Sequence, residues 1–253
     1  MSDRSTESDC TDITLNNRLS GAAEHICVLI PAAGRGIRMG KAENKLFLKT
    51  GGKPILLRTL EAFQNHPRVT DICLVTNPCE QDLILDMIRS HDLDKVTVLA
   101  YGGATRGESV LNGLNALRAA GLEADAIVMV HDGARCFIGS EVIERAVNAT
   151  PRYGAIITAL PTRDTIKYVD DSNRVTDTPN RTQLRQVQTP QSFRFEPLLN
   201  AYEQFGTDLT DDAAVMERAG YSVHVIPGSD FNIKVTTPVD LLIAEALVTY
   251  LEL

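Results

Sequence analysis

"ICVLIPAAGRGIRMG", Ile26 to Gly40, is the stretch whose reading decides the fold. An apolar, β-branched run reaches a proline and opens into a loop of alanine, glycine and arginine. A strand that feeds such a loop suits a dinucleotide-binding turn, a nucleoside-triphosphate cradle or an ordinary strand-to-loop connection, and glycine spacing separates the first two. A dinucleotide turn needs G-x-G-x-x-G opening a helix. Here Gly34-Arg35-Gly36-Ile37-Arg38 runs into Met39, so the third glycine is missing, and "GKAENKLFL" (40–48) is not amphipathic as a helix. No acidic residue ends a second strand where a ribose would need one. A triphosphate P-loop needs G-x-x-x-x-G-K-[ST]. Gly34 and Gly40-Lys41 stand one residue too far apart for it, and Ala42 replaces the hydroxyl residue. What remains is a loop with exposed amides and three cations, Arg35, Arg38 and Lys41, with Lys45 just beyond. Such amides hold phosphate oxygens, and such cations offset charge at a phosphorus under attack.

Outward from this stretch, strand-like and helix-like segments alternate. "ICVLI" (26–30), "DICLVT" (71–76), "VTVLA" (96–100), "AIVMV" (126–130) and "AIITAL" (155–160) are continuous apolar runs, as expected of strands covered on both faces. Helical spacing recurs over 54–66, 80–91, 105–121, which stops at Gly121, and 140–150, where Ser140 is the expected N-cap. The alternation predicts an α/β fold with a mostly parallel sheet and helices on both faces. Ligands in such sheets bind beyond the carboxyl ends of the strands. The pattern breaks at 161–191, a polar, turn-rich piece in which "DTIKYV", "DDSN" and "RVTDTP" read as a β-hairpin that projects from the body. Its polarity leaves it little core of its own, so a partner chain is a natural place for it to pack. Helices near 196–205 and 211–219, strands at 222–226 and 232–235, and a helix from Pro238 complete the expectation.

Composition narrows the function classes. A formal net charge of −8 argues against nucleic-acid binding through bulk electrostatics. Five cysteines without a CxxC spacing argue against a disulfide framework or a zinc site, and Cys27 and Cys73 read as small core residues. Residues 1–24 are polar, lack the marks of a secretory signal and are expected to form a mobile leader before one domain spanning 25–253. With no apolar run of membrane-spanning length, a cytoplasmic protein is expected.

Three further groups carry candidate chemistry. In "GGATRGESVLNGL" (102–114), Gly102 and Gly103 allow close backbone approach to a planar group, and Arg106 and Ser109 sit at a helix start that favours anions. In "VMVHDGARCF" (128–137), Asp132 follows a buried strand, where it suits a metal or a ribose hydroxyl, with Gly133 and Arg135 beside it. His131 reads as a packed residue. The third group is scattered and matters only if it converges: Arg163, Asp164, Thr165, Arg181, Thr189 and Lys234.

Taken in order, "PAAGRGIRMG", Lys45, "GGATRGESVLNGL", "VHDGAR", "TRDTIK", "RQVQTPQSF", "TDDAAVMERAG" and "NIKVTTPVDL" resemble the polyol-phosphate cytidylyltransferases, and most closely those acting on 2-C-methyl-D-erythritol 4-phosphate. The resemblance runs from about Ile26 to Leu247. It implies a Rossmann-like nucleotidyltransferase fold, transfer of CMP from CTP to the polyol phosphate with release of pyrophosphate, and Mg²⁺ or another divalent cation. It also implies a homodimer joined by a β-arm at about 161–185. By the same resemblance, Arg38 and Lys45 are the catalytic cations. Pro31, Ala32, Ala33, Gly34, Gly36, Gly102, Gly103, Arg106, Ser109, Asp132 and Gly133 form the CTP site, with Asp132 near the metal. Arg135, Thr165, Arg181, Thr189 and Lys234 grip the polyol phosphate, Arg181 as a candidate for donation by the second subunit. Ala104 and Gly133 depart from the family pattern without removing a charge. The attacking phosphate oxygen is already anionic, so no general base is required, and cations that offset anion repulsion are the main lever. Two other readings share the scaffold: a cytidylyltransferase for another polyol phosphate such as ribitol 5-phosphate, and a non-catalytic nucleotide-binding protein.

Overall fold

A computed structural model describes residues 13–14, 19–20, 24–34 and 44–252 of the chain. In chain order the elements are β1 (Ile13–Thr14), β2 (Ile26–Pro31), β3 (Lys49–Thr50), β4 (Lys53–Pro54), α1 (Ile55–Gln64), β5 (Asp71–Thr76), α2 (Gln81–Ser90), β6 (Val96–Tyr101) and α3 (Arg106–Ala119). There follow β7 (Ile127–Val130), α4 (Ser140–Tyr153), β8 (Ala155–Pro161), β9 (Tyr168–Val169), β10 (Val175–Asp177) and β11 (Arg185–Arg194). Last come α5 (Phe195–Phe205), α6 (Asp212–Arg218), β12 (His224–Pro227) and α7 (Pro238–Leu251). None of the described helices is long and apolar enough to cross a membrane.

The main sheet has the order β1-β6-β5-β2-β7-β11-β8-β12. β6, β5, β2 and β7 run parallel, as do β8 and β12, while β11 is antiparallel to both of its neighbours. The α/β class with a mostly parallel sheet is therefore as expected. Burial explains the continuous apolar strands. In β2, Ile26, Val28 and Ile30 point into one core, with α1, α2, α4 and α7, while Cys27 and Leu29 point into the other, with α3, α5 and α6. Burying each such aliphatic side chain contributes roughly 1.5–3 kcal/mol, so a polar residue on either face of β2 would be costly.

Three expectations change. Ser140 is the first residue of α4, not its cap; Gly139 takes that place and offers no side-chain bond. Residues 232–235 form no strand, because the Val235 amide donates to Ala134 O at 2.9 Å and Asn232 Nδ2 donates to Thr189 O at 2.8 Å. Those bonds lead to the loop after β7 instead of to a ladder. The polar stretch 161–191, expected to hold only a hairpin, also contributes most of β11, which lies inside the sheet. Its buried polar side chains are satisfied by specific tertiary partners: Gln191 Nε2 donates to Asp211, Gln191 Oε1 accepts from the Ala213 amide, and Ser192 accepts from Thr150. Pro190, which offers no ladder amide, sits where the register with β8 shifts between Gln188 and Gln191.

The hairpin is present: β9 and β10 pair antiparallel, and Asp170 closes their turn by accepting from the Ser172 and Arg174 amides. At the amino-terminal edge of the sheet, buried Asp71 accepts from the Ser20 amide and hydroxyl and from Thr97. Ile13 and Thr14 pair with β6, so part of the polar leader lies against the sheet.

Candidate functional site

The parallel strands β6, β5, β2 and β7 end along one edge of the sheet, and the loops after β2, β6 and β7 build one site. After β2, the Ala32 amide donates to Val75 O at 2.7 Å. Asn44, at the far side of the loop, donates to Ala32 O at 3.1 Å and to Glu80 at 3.1 Å, while its own oxygen accepts from the Leu46 amide. Asn44 thus closes the base of the arginine-rich loop, a role that no motif signalled. Gly36 and Arg38 lie outside the described residues. Lys45 begins a short 3-10 turn, and its Nζ donates to Val235 O at 3.0 Å, bringing it to the segment that carries Lys234.

After β6, Gly102 packs so closely on Ala33 that a Cβ there would run into the Ala33 Cβ and lie 3.0 Å from Ser109 Oγ. The Gly103 amide donates to Ser109 Oγ at 3.1 Å, and that hydroxyl donates onward to Thr105 O at 2.9 Å. Ser109 therefore shapes the glycine turn with its proton already committed. Thr105 and Glu108 form a capping box at the start of α3.

After β7, the geometry centres on Asp132, which is only 12% exposed. Lys234 Nζ stands 2.8 Å from its carboxylate, Arg106 Nε 3.5 Å and Arg135 Nε 3.6 Å. Burial would raise the pKa of Asp132, but Lys234, then Arg106 and Arg135, outweigh it and hold the carboxyl well below the usual carboxylate range. The Asp132 amide donates to Thr189 Oγ1 at 3.0 Å, and the Thr189 hydroxyl lies 3.2 Å from His131 Nδ1. His131 Nε2 donates to Arg135 O at 3.1 Å. Burial lowers the His131 pKa to about 4, so this chain of bonds holds a neutral imidazole in one tautomer, in a packing role as expected. Arg135 Nη1 donates to Asn232 O at 2.8 Å, and burial lowers its pKa, with Asp132 offsetting part of that. A Cβ on Gly133 would meet Leu46, Ile30 and Leu56 at 3.3–3.5 Å, a close but nearly tolerable fit for an alanine.

The fold thus converges Ala32, Ala33, Gly102, Gly103, Arg106, Ser109, Asp132, Arg135, Thr189, Lys45 and Lys234 from six stretches of chain. Pro31 closes β2, and Gly34 stands with open space where a side chain would go. Thr165 and Arg181 are not brought in. Both are exposed, on either side of the β9–β10 hairpin in sequence, and Arg181 donates to Arg163 O at 3.2 Å. Sequence reasoning missed Asp212, Tyr202, Asn232 and Gln191. Asp212 stands in the quoted "TDDAAV", where the two aspartates look alike, and only the fold separates the one that caps α6 from the one that turns inward.

Against known proteins, the family model of 2-C-methyl-D-erythritol 4-phosphate cytidylyltransferase matches residues 26–250. A protein of that name from Alkaliphilus metalliredigens is 43% identical over 229 residues, covering 89% of this chain and 93% of the relative. Its counterpart from Geobacillus kaustophilus is 44% identical over 222 residues, covering 87% and 95%. The crystal structure of 4-diphosphocytidyl-2C-methyl-D-erythritol synthase from Anaerococcus prevotii superposes with a TM-score of 0.77 at 31% identity, covering 89% of this chain and 99% of that one.

Proposed function

The chain belongs to the 2-C-methyl-D-erythritol 4-phosphate cytidylyltransferases, enzymes of CTP-dependent cytidylyl transfer in isoprenoid synthesis, and on that premise we propose how its residues divide the work. The observation that carries the reading is the convergence of Lys234, Arg106 and Arg135 on one buried carboxylate, at the strand ends where the glycine turns also meet.

A phosphate oxygen of methylerythritol phosphate attacks the α-phosphorus of CTP, forming the new P–O bond as the bond to pyrophosphate breaks. Both reactants are anions, so the barrier falls chiefly through in-line positioning and offset charge. Arg38 and Lys45 are the cations that offset charge at the α-phosphate. Lys45 is supported in this role by its anchor on Val235 O, next to Lys234. Pro31 to Gly34, Gly36, Gly102, Gly103, Arg106 and Ser109 receive CTP, with Ser109 holding the glycine turn against which the base packs. Lys234, Arg135 and Thr189 hold the polyol phosphate. Asp132 and Gly133 lie between the two substrates.

The donor set bears on the metal. No group of three or more His, Cys, Asp or Glu side chains gathers among the described residues. The site therefore fits a divalent cation brought on the triphosphate and met by Asp132, not one caged by protein. Asp132 would help hold such a cation, which would supply offset for the triphosphate charge. Asp132 would then share its carboxylate between the metal and the three surrounding cations.

A homodimer joined by the arm completes the reading. Ile166, Tyr168, Val169 and Val175 are 39–57% exposed on a hairpin with little core of its own, and Thr165 and Arg181 lie on the same arm. In the dimer these two reach the site of the other subunit. The discriminating assay follows pyrophosphate release from CTP with Mg²⁺ and either methylerythritol phosphate or ribitol 5-phosphate. Release is expected with the first. Release with ribitol phosphate alone would overturn the substrate, and release with neither would leave a nucleotide-binding protein.

A further inference from the structure

Asp212, at the start of α6, is completely buried. Its two oxygens take both terminal nitrogens of Arg106, at 3.0 and 2.7 Å, and Tyr202 from α5 donates to Oδ1 at 2.6 Å. The helix it begins does not need it as a cap, because the preceding Asp211 accepts from the Ala214 amide and fills that role. Asp211 and Ala213 on either side are pinned to Gln191 of β11. At Gly107, the residue after Arg106, a Cβ would run into Thr207 O, so α3 and the loop before α6 are locked together. A buried carboxylate held by three elements, with its hydrogen bonds going to one site cation and one tyrosine, is built to hold that cation.

We propose that Asp212 is a positioning residue of the nucleotide site, acting through Arg106. The bidentate pair fixes the guanidinium plane so that the Nη edge faces Asp212 and Nε alone faces Asp132 at 3.5 Å. Asp212 also takes up most of the Arg106 charge. Without it, Arg106 would swing onto Asp132 as a close pair and occupy the carboxylate that Lys234 and the incoming nucleotide share. The inference rests on the placement of Arg106 at the CTP site.

The test is a double-mutant cycle read both by steady-state kinetics and by calorimetric titration with CTP, with melting temperature as a control. D212N should raise KM for CTP roughly tenfold or more, as expected for losing a charged hydrogen-bonded partner, with a smaller change in kcat. R106A should do the same, and R106A/D212N should be no worse than R106A. R106K, which keeps the charge but loses the fork at a partly exposed position, should resemble D212N, whereas Y202F should stay within about threefold of wild type. Losses that multiply in the double variant, or wild-type CTP binding in either R106K or D212N, would overturn the proposal. Wild-type binding in R106A would remove Arg106 from the CTP site and the proposal with it. If no variant nor wild type turns over but the CTP titrations show the non-additive cycle, the positioning role stands and the reaction assignment is what fails.

Discussion

Thr189 shows how much one side chain carries. A single hydroxyl accepts from the Asp132 amide and meets His131 Nδ1, while its backbone oxygen accepts from Asn232. It thereby joins β11, the loop after β7 and the segment carrying Lys234. Sequence reading placed Thr189 among the substrate contacts; the structure adds that it holds the contacts of others. Lys45 lies at the same scale. Its ammonium is anchored beside Lys234 and faces the phosphates in the proposed mechanism. Lys45→Ala should lower turnover about 100-fold, the cost of losing one donor aimed at developing charge, with a smaller change in KM for CTP. Single-turnover measurement of pyrophosphate release checks this, and unchanged turnover would remove Lys45 from the catalytic step.

At the scale of elements, α3 joins the site to the core. Its first turn bears the capping box and Arg106, and its middle lies on β2 and β5 at Gly113. A Cβ at Gly113 would come 2.8 Å from Val75 Cγ2 and 2.9 Å from Leu29 Cδ1. Alanine gains about 1 kcal/mol over glycine in helix propensity, but overpacking typically costs ~1–3 kcal/mol, and both neighbours are buried strand residues with little room to move. Gly113→Ala should therefore be net destabilising by about 1 kcal/mol, seen as a lower denaturant midpoint with unchanged slope. A higher midpoint would mean that β2 and β5 yield more easily than their burial implies. The parallel strands and the helices between them were legible because apolar runs and capping residues are local signals. β11 was not, because Gln188, Thr189, Gln191 and Ser192 are polar, and their burial is tolerable only through partners distant in sequence. The segment 232–235 misled in the opposite direction: "NIKV" has strand composition, but its polar groups are spent on the site.

For the whole molecule, the uncovered apolar side chains of the arm set the expectation. Tyr168, Val169 and Val175 lie more than half exposed on a two-stranded hairpin, a small element that is marginal without further packing. On the proposed arm-joined dimer, Val169→Lys should leave the body folded and shift the protein towards monomer in sedimentation velocity. Turnover should fall with dimer content if Arg181 serves the neighbouring subunit. A variant that stays dimeric with full activity would assign the interface to another surface.

The sequence by itself determined the alternation that makes an α/β sheet, the placement of glycine and cationic motifs at strand ends, and, through their order, the family. These are local or ordered features, set by propensity, burial pattern and charge, and they need no knowledge of what folds against what. Only the tertiary structure decided that Asp132 is the hub on which Lys234, Arg106 and Arg135 converge, that Ser109 and His131 hold loops in place, and that Asp212 and not Asp211 holds Arg106. Hydrogen bonds and ion pairs act over about 3 Å, and residues 57, 97 or 106 positions apart come within that distance only after the sheet has brought their strand ends together.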